Sequence, residues 1–241
     1  MDESRRGMAA EPLAGFRVHG VVPAAGRGER FGGDRPKQFL EVAGRPLLAW
    51  TVDRLRRAGF ASVTVAAPAE ALDEARRLLP AAAWLRVVEG GATRQASVWA
   101  ALAASPALAD DLVAVHDAAR PATAVADLRA VIESAARSGG AVLGRAVSDT
   151  IKRIEAWRVV ATLDRRTLFR AETPQVFRRA TLERALGRAR DERFVGTDEA
   201  SLVERLGEVA IAAVEAAAPN PKVTVPADLA LVEWLLSREP A

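Results

Sequence analysis

Short apolar runs and amphipathic stretches alternate along the chain. Val18–Val22, Val63–Ala66, Leu85–Val88, Leu112–His116 and Ala141–Leu143 read as buried strands, each too short for a helix and bounded by turn residues. Pro46–Ala58, Glu70–Leu79, Thr93–Ala104 and Val125–Ser138 read as helices; Pro46 opens one, Gly59 follows its end, and Gly139-Gly140 closes another. Strands separated by helices of this length predict right-handed crossovers and an α/β, doubly wound, mostly parallel sheet covered on both faces. In such sheets ligands lie beyond the carboxyl ends of the strands. The loops opening at Pro23, Glu89, Asp117 and Arg145 are therefore where chemistry is expected.

The pattern changes after Val147. Thr150–Ile154 and Arg158–Leu163 alternate polar and apolar residues around Glu155-Ala156-Trp157, which predicts a β-hairpin. A lone two-stranded hairpin is marginal in water, so this arm, about 148–166, is expected to protrude and pack against a second subunit. The βα style returns with Arg179–Arg190, Glu199–Leu206, Val209–Val214 and a last helix near Ala227–Ser237. A rigid turn at Ala218-Pro219-Asn220-Pro221 precedes Lys222 and a strand edge at Val223-Thr224-Val225. Residues 1–16 mix charge with Ala, Gly and Pro and read as a flexible extension without a signal-peptide core, leaving 17–241 as a single domain.

Half of the 241 residues are hydrophobic, enough for a substantial core. The net charge is only +3, with arginines scattered among acids and no block of like charge, which argues against a nucleic-acid surface. No apolar run approaches the ~18 residues of a membrane span. The absence of cysteine excludes disulfides, thiolate zinc sites and cysteine nucleophiles, and suits a cytoplasmic protein.

Candidate chemistry gathers at the strand ends. Val22 to Gln38 leaves the first strand in a glycine-rich loop carrying Arg27, Arg30 and Lys37, which reads as a cradle for the phosphates of a nucleoside triphosphate or as a tight turn. It is neither a Walker A loop nor a dinucleotide fingerprint, since the lysine and third-glycine spacings fail. Glu89 to Ser97 opens a helix. Gly90 and Gly91 permit close approach of a flat base, with Arg94 and Ser97 as donors; the alternative is a glycine turn capped by Thr93. Asp117, in His116-Asp117-Ala118-Ala119-Arg120-Pro121, stands where a metal or ribose would be held, or caps its own loop. His116 and His19 read as packed strand residues, and Lys222 alone as a solvated charge.

Taken together, PAAGRGERFGGDRPKQ, EGGATRQASV, VHDAARP, SDTIKR, LDR, ETPQ, GTDEAS and NPKVTVPADL resemble, in order and spacing, the 2-C-methyl-D-erythritol 4-phosphate cytidylyltransferase family of the non-mevalonate isoprenoid pathway. The resemblance runs from about Val18 to the final helix, and the length fits the single-activity enzyme. It implies a Rossmann-like nucleotidyltransferase fold and transfer of CMP from CTP to methylerythritol phosphate, with magnesium on the triphosphate. Arg30 and Lys37 then match the pair that stabilises charge at the α-phosphorus. Ala24, Ala25, Gly26, Gly91, Arg94, Ser97, Asp117 and Ala118 match the CTP pocket, Asp117 being also the candidate metal ligand. Lys222 and Arg165 match residues that position the second substrate, with Thr150, Thr173 and Thr197 nearby. The resemblance further implies a homodimer by arm exchange, Thr150 and Arg165 reaching into the partner's site. Glu29, Ala92, Pro219 and Pro221 depart from the pattern, Ala92 bearing on base discrimination. The alternatives are a cytidylyltransferase for another polyol phosphate such as ribitol 5-phosphate, whose loops more often read AGG and HDAVRP, and a non-catalytic nucleotide-binding protein.

Overall fold

The computed structural model describes residues 12–26, 31 and 36–238. Strand β1 (Val18–Pro23) is followed by two short pairing segments, β2 (Glu41–Val42) and β3 (Arg45–Pro46), and by helix α1 (Leu47–Ala58). Next come β4 (Ser62–Ala67), α2 (Leu72–Leu78), β5 (Leu85–Glu89), α3 (Arg94–Ala104), β6 (Leu112–Val115), α4 (Val125–Ser138) and β7 (Gly139–Ala146). The hairpin β8 (Lys152–Glu155) and β9 (Arg158–Thr162) precedes β10 (Phe169–Arg178), α5 (Arg179–Asp191), α6 (Glu199–Leu206), β11 (Ala210–Glu215) and α7 (Asp228–Ser237).

Seven strands form one sheet in the order β11-β7-β10-β6-β1-β4-β5. Pairings are parallel except for those of β10, which runs antiparallel between β6 and β7. Successive strand residues feed opposite cores, as the period of two requires. Val18 and Val22 of β1 and Leu112 and Ala114 of β6 join one cluster with α1 and α4. Val21, Val113 and Val115 join the other with α3, α5 and α6. The expected doubly wound α/β sheet is thus present.

Two expectations need correction. Strand β10 is not among the expected strands, because Pro174 within FRAETPQVFR argues against a central strand. It is tolerated because the register with β7 shifts between Ala171 and Gln175, so the ladder skips the proline. Conversely, Val223–Val225 forms no strand. Val223 donates to the Ala119 carbonyl at 2.9 Å, and the Thr224 and Val225 amides both donate to Asp228 Oδ2 at 2.7 and 2.9 Å, so the first residue of α7 pins the turn that leads into it.

The hairpin forms as expected and pairs only with itself. Its turn holds Ala156 and Trp157 at φ of 44° and 62°. This left-handed pair matches the twist of the flanking strands, at a steric cost to non-glycine residues. Of the N-terminal extension, only 12–16 falls within the described residues; there Leu13 and Phe16 pair through their backbones and pack on the core.

Candidate active site

Beyond the ends of β1, β5 and β6 lies a cleft of about 500 Å³. Its lining is Pro23 to Gly26, Lys37 and Gln38 in a short 3-10 turn, Gly91 to Arg94 with Ser97, Asp117 to Ala119, and Lys222 with Thr224. The sheet fixes each loop. Ala24 donates to the Ala66 carbonyl at 2.8 Å, Gly90 to Ala67 at 2.8 Å, and the buried Gln38 amide to the Ala24 carbonyl at 2.5 Å. Thr51, inside α1, donates its hydroxyl to the Ala118 carbonyl at 3.0 Å. The glycines are required by packing: a Cβ at Gly90 would lie 2.4 Å from Ala25 Cβ, and one at Gly91 2.4 Å from Ala96 Cβ.

A ladder of alternating charge crosses the cleft floor. Lys222 Nζ lies 2.6 Å from Asp117 Oδ2, and Arg94 Nε 3.1 Å from Asp117 Oδ1. Arg94 then grips the buried Glu199 with both terminal nitrogens, at 2.7 and 2.9 Å. Burial alone would raise the Asp117 carboxyl, but Arg94 and Lys222 outweigh it and hold it well below the usual carboxylate range. Burial disfavours the Arg94 cation, yet Glu199 and Asp117 more than compensate and keep it charged. Lys37 donates to the Val223 carbonyl at 2.8 Å, so its ammonium is tied to the residue that follows Lys222. Only three lysines occur in the chain, and two of them, Lys37 and Lys222, line this cleft. An ammonium is a compact point charge suited to a phosphate oxygen, and α3 starts at the same wall.

Of the residues singled out from sequence, Ala24, Ala25, Gly26, Lys37, Gly91, Arg94, Ser97, Asp117, Ala118 and Lys222 converge here. Arg30 lies outside the described residues. Ser97 is buried, its hydroxyl donating to the Thr93 carbonyl at 2.9 Å and accepting from the Gly91 amide at 3.2 Å. It therefore shapes the glycine loop, and Thr93 caps α3 as the alternative reading held. Thr173 sits behind the cleft, its hydroxyl accepting the Asp117 amide at 3.0 Å. Thr150, Arg165 and Thr197 are exposed and do not line the cleft within one chain; Arg165 donates to the Ser148 carbonyl at 2.6 Å.

Three charged or polar partners escape the sequence reading: Glu199, Glu172 and Asn220. The available signal is only that each falls inside a matched motif, GTDEAS, ETPQ or NPK. Asn220 donates to the Thr173 carbonyl at 3.0 Å and accepts from the Thr123 hydroxyl at 2.6 Å. With that proton committed, His116 Nε2–H donates to the Arg120 carbonyl (3.3 Å), leaving Nδ1 to accept from the Thr173 hydroxyl at 3.0 Å. Both ring nitrogens are used inside the protein, which leaves His116 no part as an acid or base.

Both histidines of the chain are fully buried. Burial lowers His116 to about 4. It also lowers His19, although Asp111 at 3.1 Å opposes the shift. In the unfolded chain both titrate near 6.5. The stability gained by keeping them neutral is complete above that pH and is lost as pH falls toward 4. A urea midpoint measured at pH 5 is expected below that at pH 7.5, His116 alone contributing on the order of 2 kcal/mol. A flat midpoint across that range would mean that the folded protein accepts protons at these rings.

Known proteins fit this geometry. The family model described as 2-C-methyl-D-erythritol 4-phosphate cytidylyltransferase matches residues 18–238. A protein of that name from Xanthomonas campestris pv. campestris is 45% identical over 225 residues, covering 91% of this chain and 84% of its own length. One from Symbiobacterium thermophilum is 43% identical, covering 91% and 92%. The crystal structure of the enzyme of that name from Thermus thermophilus superposes with a TM-score of 0.77 at 38% identity, over 92% of this chain and 99% of that one.

Proposed function

The chain belongs to the 2-C-methyl-D-erythritol 4-phosphate cytidylyltransferase family, and we propose that the cleft described above is where CTP and methylerythritol phosphate are joined. The activity is CTP-dependent cytidylyl transfer within isoprenoid precursor synthesis. A phosphate oxygen of methylerythritol phosphate attacks the α-phosphorus of CTP, and the bond to the β-phosphate oxygen breaks. The products are 4-diphosphocytidyl-2-C-methyl-D-erythritol and pyrophosphate. A phosphate monoester is ionised at neutral pH and needs no general base, in keeping with a cleft where the only nearby histidine is committed to structure. The difficulty is bringing two polyanions together, and the observation that carries the reading is the convergence of Lys37, Lys222 and Arg94 on one cleft. Preorganised cations aimed at developing charge are worth several kcal/mol.

The roles follow the match to the family's motifs. Ala24 to Gly26 and Gly91 to Ser97 take the nucleotide, Lys37 with Arg30 the charge at the α-phosphorus, and Lys222 with Thr197 the second substrate, while Thr173 supports that site from behind through the Asp117 amide. Thr150 and Arg165 act from the partner's arm. Among the described residues no group of three acids or histidines is placed to hold a metal ion. Asp117 is the one carboxylate among the described residues that line the cleft. That donor set fits a magnesium that arrives on the triphosphate and keeps its waters; once bound, the ion would neutralise charge on the phosphates, with Asp117 as its protein contact. The cysteine-free chain suits a cytoplasmic setting, and no helix among the described residues is long and apolar enough to cross a membrane.

A pyrophosphate-release assay that crosses CTP, UTP and ATP with methylerythritol phosphate and ribitol 5-phosphate tests the reading. Release is expected only with CTP and methylerythritol phosphate. Preference for ribitol 5-phosphate would reassign the acceptor, and CTP binding without release would make the protein a binder only.

A further inference from the structure

The turn that delivers Lys222 is fastened from several sides. The Ala217 and Ala218 amides donate to the two oxygens of the buried Asp127 carboxylate, at 3.0 and 3.2 Å. The Ala218 carbonyl accepts from Arg145, and the Asn220 carbonyl from Arg120 at 2.6 Å. Those two guanidiniums come from different places, Arg145 from β7 and Arg120 from the loop after β6. One side chain lies between them. Glu172, on β10 and only 3% exposed, has Oε1 at 3.7 Å from Arg145 and Oε2 at 3.9 Å from Arg120, while Arg170 closes on Oε1 at 3.0 Å.

From this we infer that Glu172 is a positioning residue for Lys222, resting on the reading that Lys222 serves the second substrate. The contacts to Arg120 and Arg145 are too long for hydrogen bonds, so Glu172 acts as a buried countercharge. It holds two like charges close enough for each to grip one carbonyl of the same turn. Without it, Arg145 loses the carboxylate beside it, and Arg120, 11% exposed at its side chain and with little room to move away, keeps only Asp117, 4.0 Å from its Nε, against the like charge of Arg170 and Arg94. Arg120 Nε and Glu172 Oε2 are both buried without hydrogen-bond partners, so the cluster is held by charge more than by paired bonds. Thr173, next along β10, steadies the Asp117 amide. One short piece of β10 thereby sets both ends of the 2.6 Å Lys222–Asp117 contact.

The test uses the full chain carrying Glu172→Gln, which keeps the shape and removes the charge. Misplacement of a catalytic group by about 1 Å costs up to on the order of 100-fold. A fall of about tenfold in kcat/KM for methylerythritol phosphate is expected, with the Kd for CTP by calorimetry unchanged. Because the chain has only three lysines, reductive methylation of the folded protein, read by mass spectrometry, reports each separately. Methylation of Lys222 is expected to rise relative to Lys152 on the arm. Glu172→Asp, which keeps the charge, should restore part of the wild-type pattern. Arg145→Gln removes one of the two struts, so it should show the same changes at smaller size and serves if Glu172→Gln does not fold. Unchanged Lys222 labelling in folded Glu172→Gln protein, or an equal rise at all three lysines, would overturn the inference. If Lys222 labelling changes while the wild-type protein releases no pyrophosphate, the positioning stands and the assigned reaction is what fails.

Discussion

Lys37→Ala is expected to lower turnover by on the order of 100- to 1000-fold, the usual cost of deleting one preorganised group that meets transition-state charge, while the protein stays folded. Lys37 starts a 3-10 turn on the cleft wall, and the neighbouring Gln38 and Phe39 supply the buried contacts there. The fold loses no core side chain. What disappears is an ammonium anchored on the Val223 carbonyl, one residue from Lys222. Charge at the α-phosphorus grows as the pentavalent geometry forms, so the loss falls on the transition state more than on bound CTP. Pyrophosphate release at saturating substrates and the Kd for CTP should be measured together. A collapse in turnover with CTP affinity altered only modestly is the expected result. If instead affinity falls and saturated turnover is retained, the lysine serves ground-state binding. Lys37→Arg should recover only a fraction, because a planar fork cannot occupy the place of a point charge.

How much of this is legible beforehand follows from the reach of each interaction. The strands and helices that fix the loops are local patterns, and β1, β4, β5 and β6 lie where their apolar runs predict. The lining loops follow directly, because an α/β sheet puts its ligands at those strand ends. Strand β10 is hidden because a proline interrupts its period and only the shifted register explains how it is accommodated. The charge ladder is hidden for a different reason. Arg94 meets Asp117 across 23 residues and Glu199 across 105, and Lys222 reaches Asp117 across 105. No periodicity carries such pairings; they exist only once the topology has brought the ends of β6, α3 and α6 to one place. The loop contacts of Ser97 are hidden at a smaller scale, since its hydroxyl bonds the Gly91 amide and the Thr93 carbonyl of its own loop. Resemblance to a family locates these residues without saying what each touches, which is why Glu172 and Glu199 draw no attention until their partners are visible.

Arg165 poses the sharpest question, because within one chain it points nowhere useful. It is exposed on the arm, bonded to the Ser148 carbonyl and absent from the cleft lining. The arm also bears apolar groups with nothing over them: Ile154 is 52% exposed, Trp157 94%, Val159 64% and Val160 43%. A two-stranded hairpin carrying that surface gains stability when a second copy covers it. An isologous exchange would cover both arms at once and carry each Arg165 to the other subunit's cleft. Arg165→Ala alone should then cut use of methylerythritol phosphate heavily and leave CTP binding intact. Mixing that inactive protein with inactive Lys37→Ala protein should restore activity. In each mixed dimer one cleft carries both lesions, and the other draws Lys37 from one subunit and Arg165 from its partner, both intact. With free exchange and equal amounts, about half of the dimers are mixed and one site in two works, so activity should return to roughly a quarter of wild type by symmetric pairing. The measurement is pyrophosphate release after co-refolding, with mixed dimers verified by differently tagged subunits. Verified mixed dimers that stay inactive would place Arg165 in its own subunit's site, and the arm would then serve contact alone.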